Sequence, residues 1–535
     1  MSNIGFRTEE AEAVRSPQKL GALTSHLALT EVLRVREFAV TRAQVFAALL
    51  FVAIVLPTRL FVAIVLPTSL LLALTVPPGQ IADEPSHILR AAGLLRGQIL
   101  GKREILHDDQ GRAFLSAGVI ANPGLIAVAS ANVKMSRSEL ERLKSIRWGK
   151  AGVFFNCPNT AVYMPAFYFP SALAIATAKS LDLTPHMAIL MARVSNVLCY
   201  VAIGALALLF AKRGKAVLFA TLTIPMSVSL AGSCNQDCLL IAAAALASAL
   251  LTRSAAPSGV GYWIAGALLG TVIAVKPPYI ALAALMFVPI IATARFSRHR
   301  RDVRSSIGGV LLATLPAIIW TAISMRSVAV PLHVYEPYQP GPLWPGNPST
   351  IFHSLDPSAQ LQVYLHNPVR LFVLPLVSLG FWDRSFGNWQ QMIANLGWLN
   401  VPLPEGTYVS WTAALACAFV HDIFFERPLS ETGRLLNDHL SQIRPMLGMF
   451  AVLGGVWGIL TMEYLTWTHV GSELIEGLQG RYLLPLLAAW ASALPSIQCK
   501  ASRRLKAMFA LPVYAMAFYG MISLPILIVS TYYLS

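Results

Sequence analysis

The sequence predicts an all-α fold, a polytopic bundle of about 11 to 13 transmembrane helices, on three observations. First, 56% of the 535 residues are apolar and only 13% are charged, with a mean hydropathy of +0.60. A soluble chain of this length carries about a quarter charged residues and could not hide about 300 apolar ones in its cores. Second, the apolar residues fall in long runs without the alternation of barrel strands, so the runs are helices. Third, the basic residues cluster between runs, so the net charge of +15 concerns sidedness in a bilayer rather than nucleic-acid binding. The same composition excludes disorder, a collagen-like chain and a disulfide scaffold.

Residues 1–42 are polar, with six basic and five acidic side chains, and read as a cytoplasmic tail ahead of an integral membrane domain at 43–535. The first apolar run, 41–76, is too long for a cleavable signal and reads as a signal anchor. It contains LFVAIVLPT twice, at 50–58 and 60–68, with Arg59 between the copies. A helix of 36 residues would be about 54 Å long, nearly twice the hydrocarbon thickness, whereas loss of one ten-residue unit leaves an ordinary tilted span. The duplication therefore reads as slippage without a function of its own.

Further runs cover 162–180, 186–211, 216–232, 236–252, 260–275, 278–294, 307–328, 366–382, 406–425, 445–467, 481–498 and 507–533. Four basic clusters lie between them: Lys212, Arg213 and Lys215; Arg295 to Arg304; Arg427, Arg434 and Arg444; and Lys500, Arg503, Arg504 and Lys506. All four join the tail in the cytoplasm if 162–180 and 366–382 do not cross, which gives eleven spans; if both cross there are thirteen. Pro165 and Pro170 break the first of these runs, and Pro368, Arg370 and Pro375 interrupt the second, so each can be re-entrant or interfacial. A multi-pass protein of the plasma (inner) membrane results, with a cytoplasmic N-terminus. Its large extracytoplasmic segments are 77–161, long enough to carry juxtamembrane helices, and 329–405.

The six cysteines are scattered. Cys234 and Cys238 are spaced i, i+4, but no further ligand with zinc spacing stands near, and the pair reads as small apolar side chains. HDDQG at 107–111 lacks the spaced carboxylates of a calcium loop and reads as a solvated turn. No Walker A loop, dinucleotide fingerprint, HExxH or GxSxG occurs.

Residues 77–97 read PPGQIADEPSHILRAAGLLRG. Pro85 fits the first position of a helix ending near Gly97, which puts Asp83 and Glu84 at its N-terminus and His87 and Arg90 on the following turns. One reading is a capped amphipathic helix on the membrane surface. The other makes Asp83 a general base or metal ligand, with Glu84 and His87 as neighbours. Two further groups stand at the ends of runs. In EGLQGRYLLPLL, 476–487, Gln479, Arg481 and Tyr482 either anchor a helix at headgroup level or clamp a phosphate through the guanidinium. In GSCNQDC, 232–238, the simpler reading is a helix N-cap by Asn235 or Ser233, the other an Asp237 that faces the bundle interior or water; Lys276 in VKPPY either snorkels or meets an anionic ligand. Glu463 and Trp467 lie near the outer end of their run.

The pattern PPxxxxDEPxHxxRAxxLxxG at 77–97 and EGLQGRYLLPLL resemble the bacterial multispanning family labelled domain of unknown function 2142. NTAVYMPAFYFP, LMARVSN, VKPPY and LGWLNVPLP extend the resemblance over about 44–533, the ten-residue duplication being the departure. That family is similar to the GT-C membrane glycosyltransferases. The resemblance implies a polyprenyl-phosphate sugar donor, a glycan or lipid acceptor at the bilayer's outer face, and an acidic catalytic base in the first outer loop. Carried onto this chain, Asp83, Glu84 and His87 are the catalytic candidates, and Lys276, Arg481 and Tyr482 would bind the donor phosphate. Arg90, Asp237 and Gln479 would support them, with no fixed metal site although a divalent ion is compatible. A flippase for lipid-linked glycans and a non-catalytic membrane subunit are the alternative functions; the chain lacks the internal helix repeats of many transporters.

Overall fold

The computed structural model describes residues 56–131, 136–253, 257, 259–289, 300–331, 355–426, 438–497, 499 and 501–534. The cytoplasmic-tail expectation for 1–42, the start of the first repeat copy, and Arg295, Arg298, Arg427, Arg434 and Lys500 lie outside them.

The described chain is mostly helical. It opens with α1 (Leu56–Thr75), which includes the second repeat copy. Then come α2 (Glu84–Leu94), β1 (Lys102–His107), β2 (Ala113–Ala121), α3 (Pro123–Ala129), α4 (Arg137–Ser145), β3 (Val153–Asn156) and the single turn α5 (Pro158–Ala161). After a 3₁₀ turn at Pro165–Tyr168 follow α6 (Phe169–Ser180), α7 (Pro185–Phe210), α8 (Lys215–Thr223), α9 (Pro225–Ala231), α10 (Asp237–Arg253) and α11 (Val260–Val275). A 3₁₀ helix at Pro277–Phe287 precedes α12 (Arg300–Ser327), α13 (Pro357–His366), α14 (Arg370–Gly380), α15 (Trp382–Ala394) and a two-residue pairing of β4 (Asn395–Leu396) with β5 (Val401–Pro402). There follow α16 (Glu405–Phe424), α17 (Asp438–Thr466), a 3₁₀ turn at Gly480–Leu483, α18 (Leu484–Trp490), a second at Ala491–Ala493, α19 (Arg503–Val529) and a π-helical turn at Ser530–Leu534. Local chemistry sets many starts. Proline occupies the first turn of α2, α3, α6, α7, α9 and α18, and Thr184 and Ser502 cap α7 and α19 by accepting from Met187 N and Leu505 N.

Five described helices are long and apolar enough to cross a bilayer, six if α13 and α14, bent by 107°, form one span. The larger number of apolar runs is not matched one for one by long helices, because proline divides several of them. The run at 216–232 splits at Pro225 into α8 and α9, 278–294 holds the 3₁₀ helix begun by Pro277 and Pro278, and 481–498 holds α18 between two 3₁₀ turns. Exposed apolar rows such as Leu311, Leu315, Ile318 and Ile319 on α12, and Leu511, Phe518, Ile522 and Ile526 on α19, present the surface a lipid chain would cover.

α10 is the axis of the packing. Sixteen of its residues, Asp237 to Thr252, are buried, and its alanines let α7, α11 and α18 approach closely. Gly232 does the same for α1, its α-carbon facing Ser69 O and Leu72, while Ser69 Oγ donates to Val228 O at 3.0 Å. At the C-terminal end of α10 the basic clusters meet. Lys212 N donates to Thr252 Oγ1, Arg213 and Arg444 donate to the adjacent carbonyls of Pro495 and Leu494, and Lys506 Nζ donates to Phe425 O.

The segment 77–161 corrects the all-α expectation. Besides helices it holds a three-stranded antiparallel sheet in the order β1-β2-β3, with Ile105 opposite Leu115 and Gly118 opposite Asn156. β1 reads KREILH and is mostly exposed, so it carries no hydrophobic stripe; β2 is buried only in its second half, where Val119 and Ala121 pack with Ile88 and Leu89 of α2.

Candidate functional site

The site lies where the 79–83 loop, the start of α10, the break after α11 and the loop before α18 meet. Asp83 precedes α2 in a left-handed conformation, φ 62° and ψ −3°, a strained backbone for a side chain that is not glycine. It makes no side-chain cap to α2, so the capping reading is replaced. Neighbouring loops hold the turn instead. Ala82 N donates to Gly397 O at 3.0 Å, Trp398 Nε1 to Gly79 O at 2.8 Å, and the Ala82 carbonyl accepts from Asn235 Nδ2 and Arg481 Nη1, both at 3.4 Å.

Strain at Asp83 persists because Glu84 is immovable. Its carboxylate forms a fully buried bidentate pair with Arg193 of α7, at 2.7 Å from Nε and 2.6 Å from Nη2, and Oε1 also accepts from Cys234 N at 3.0 Å. Arg193 donates further to the carbonyls of Ala73, Val76 and Pro77 at the end of α1. Glu84 therefore turns away from Asp83 and serves as an anchor.

Asp83 points the other way, with its side chain 38% exposed, and Oδ2 pairs with Arg481 Nη2. Arg481 Nε faces Asp237 Oδ2 at 3.5 Å, and Asp237 Oδ1 takes Lys276 Nζ at 2.7 Å. Lys276 also stands 4.1 Å from the centre of the Tyr482 ring. Two carboxylates and two cations thus alternate, and of the four only Asp83 is more than a quarter exposed. Asp237 is placed by the α10 cap, in which Asn235 Oδ1 accepts from Asp237 N at 2.9 Å. Lys276 stands where Pro277 ends α11, and Tyr279 Oη donates to Tyr482 O at 2.8 Å. Gly480 lies against the α15 backbone at Asn388 and Met392, where no side chain fits, and its N–H donates to Gln391 Oε1 at 3.1 Å. The oxygen of the Gln479 side chain is buried without a donor among the described residues.

His87 and Arg90 form a second layer. His87 Nδ1 is 2.6 Å from Tyr168 Oη, and its ring stacks 6.5 Å from that of Tyr163. Burial lowers its pKa to about 4, outweighing the carboxylates of Asp237 and Asp83, so the ring is neutral at physiological pH. Arg90 is fully buried and donates to the carbonyls of Gln98, Ile99 and Tyr163, which fixes the chain on both sides of α2.

The alternating charges around Asp83 do not fit a divalent ion, since cations already face both carboxylates. Among the described residues one trio, His421, Asp422 and Glu426, has ligand atoms close enough together for a metal. Its carboxylates instead accept from the backbone N–H groups of Gly214, Lys215, Ala216 and Val217 at the start of α8.

A family model described as predicted membrane protein, domain of unknown function 2142, matches residues 66–489. The chain belongs to this family. No curated protein and no solved structure matches it. The part of this family member that the model matches contains Asp83, Glu84, His87, Arg90, Asp237, Lys276, Gln479, Arg481 and Tyr482.

The sequence marks LMARVSN as part of the family pattern but gives Arg193 no role. The available signal was an arginine inside an apolar run, which demands a buried partner. Glu84 is that partner, 109 residues away in sequence.

Proposed function

We propose that the chain is a membrane glycosyltransferase of GT-C type, moving a sugar from a polyprenyl-phosphate carrier to a glycan or lipid acceptor in the cell envelope. The observation that carries this reading is the convergence of Asp83, Asp237, Lys276, Arg481 and Tyr482, with the carboxylate of Asp83 alone presented outward.

In this mechanism Asp83 accepts the proton of an acceptor hydroxyl. The acceptor oxygen bonds to the anomeric carbon of the donor sugar as the bond from that carbon to the phosphate oxygen breaks, and the electron pair leaves with the polyprenyl phosphate. Lys276 and Arg481 stabilise the leaving phosphate, and Tyr482 holds Lys276 over its ring. Asp237 orients both cations until the donor arrives. Glu84 and Arg193 position Asp83 rather than react, and neutral His87 backs the pocket.

The topology that accompanies this reading has eleven spans in the plasma membrane, with the tail 1–42 and the basic clusters inside and the segments 77–161 and 329–405 outside. Gathering of Arg213, Arg444 and Lys506 at one end of α10, with Asp237 at the other, supports that sidedness. In a deletion strain complemented with Asp83→Asn, the envelope glycan profile should match that of the deletion, a loss of at least about 100-fold in transfer at unchanged expression. Full complementation by Asp83→Asn would refute the reading.

A further inference from the structure

We propose that Glu463, Trp467 and Gly477 form a sugar-recognition subsite beside the phosphate clamp, taking the pyranose ring of the lipid-linked donor. This inference rests on the transferase reading and names the part of the ligand that the charged cluster does not address.

Glu463 and Trp467 stand at i and i+4 across the C-terminal end of α17, on one face. The end is pinned there, because the Glu463 carbonyl accepts from Trp467 N, Thr468 N and Thr468 Oγ1. The following chain folds back over this face and reaches it with a bare backbone. Gly477 has φ +84°, and a β-carbon added to it would lie 2.5 Å from Glu463 Oε2 and overlap the indole of Trp467. Glycine at this position leaves the carboxylate and the indole side by side.

Gly477 packs against both side chains, yet their polar atoms stay unengaged among the described residues. The Glu463 carboxylate makes no hydrogen bond or ion pair among the described residues, although Lys276, Arg481 and Asp83 are near enough to act on it electrostatically. Trp467 is 40% exposed, and its indole N–H has no acceptor among the described residues. Gln479, two residues beyond Gly477, keeps a buried side-chain oxygen without a donor. Glu463 thus offers an unmet acceptor beside a partly exposed indole. A phosphate brings no donor to it. A pyranose brings hydroxyl donors at its edge and an apolar C–H face for the indole, and the loop joins this face directly to Arg481 and Tyr482.

The test uses the full-length protein in lipid nanodiscs and saturation-transfer NMR with a panel of free hexoses and N-acetylhexosamines. At least one sugar should be saturated by the wild type, with its signal cut at least about tenfold by Trp467→Ala and by Glu463→Gln. Trp467→Phe and Asp83→Asn should retain it, which also shows that the variant protein is folded. No saturated sugar, or a signal indifferent to both Trp467→Ala and Glu463→Gln, overturns the subsite. The transferase reading fails separately: sugar binding that depends on Trp467, together with full glycan transfer by Asp83→Asn, would remove the enzyme and keep the subsite.

Discussion

His87 is 3% exposed, and its ring loses water without gaining a close ion-pair partner. Its pKa falls from 6.5 to about 4. Because the folded value is the lower one, the neutral ring stabilises the fold at pH above about 6.5, and that contribution is lost as pH falls through about 4. The thermal unfolding midpoint should therefore drop between those two values, by an amount corresponding to about 3 kcal/mol, and His87→Gln should flatten the drop. An identical pH dependence in the variant would remove His87 as its source. The chemical types in PPGQIADEPSHILRAAGLLRG were legible in the sequence, but the direction of each side chain was not. Adjacent Asp83 and Glu84 diverge because one faces Arg481 and the other Arg193, partners 398 and 109 residues away.

Elements were legible wherever a local signal marks an end. Proline starts and serine or threonine caps sit where the helices begin, and the proline-broken runs are the short or 3₁₀ pieces. The sheet was hidden because β1 is mostly exposed and β2 is buried chiefly in its second half, against α2, so neither shows the alternation of a half-buried strand. The cap of α8 was hidden too, since its donors are met by Asp422 and Glu426 from the end of α16 instead of by its own flanking residues. The Glu84–Arg193 pair belongs to this scale, because it ties α1, α2 and α7 together. Arg193→Met leaves a carboxylate buried without its partner and should cost about 3–5 kcal/mol. Adding Glu84→Gln should recover part of that loss, which melting of the detergent-solubilised variants would measure. Additive losses in the double variant would mean that the two residues act independently.

For the whole molecule, composition already required a membrane-embedded helical bundle, and the exposed apolar rows agree with it. Charge clustering in the sequence underlies the proposed sidedness, and α10 separates Asp237 from the gathered basic residues by 17 residues, about 25 Å. The sequence left open which runs cross, because an apolar run can equally be a span or a bent insertion, as the 107° break between α13 and α14 illustrates. Alkaline phosphatase fused after residues 110 or 472 should be active, and fused after 213 or 502 inactive. Activity after 213 would invert the proposed orientation.

Asp83 and Arg481 touch across 398 residues of chain. Synthesis delivers Asp83 to the bilayer early and Arg481 nearly last, with Asp237 and Lys276 in between. Until the loop before α18 is made, the Asp83 carboxylate has no Arg481 guanidinium opposite it. The proposed chemistry therefore needs the chain through Arg481, and a truncation before 481 should abolish glycan transfer even where the shortened chain still inserts.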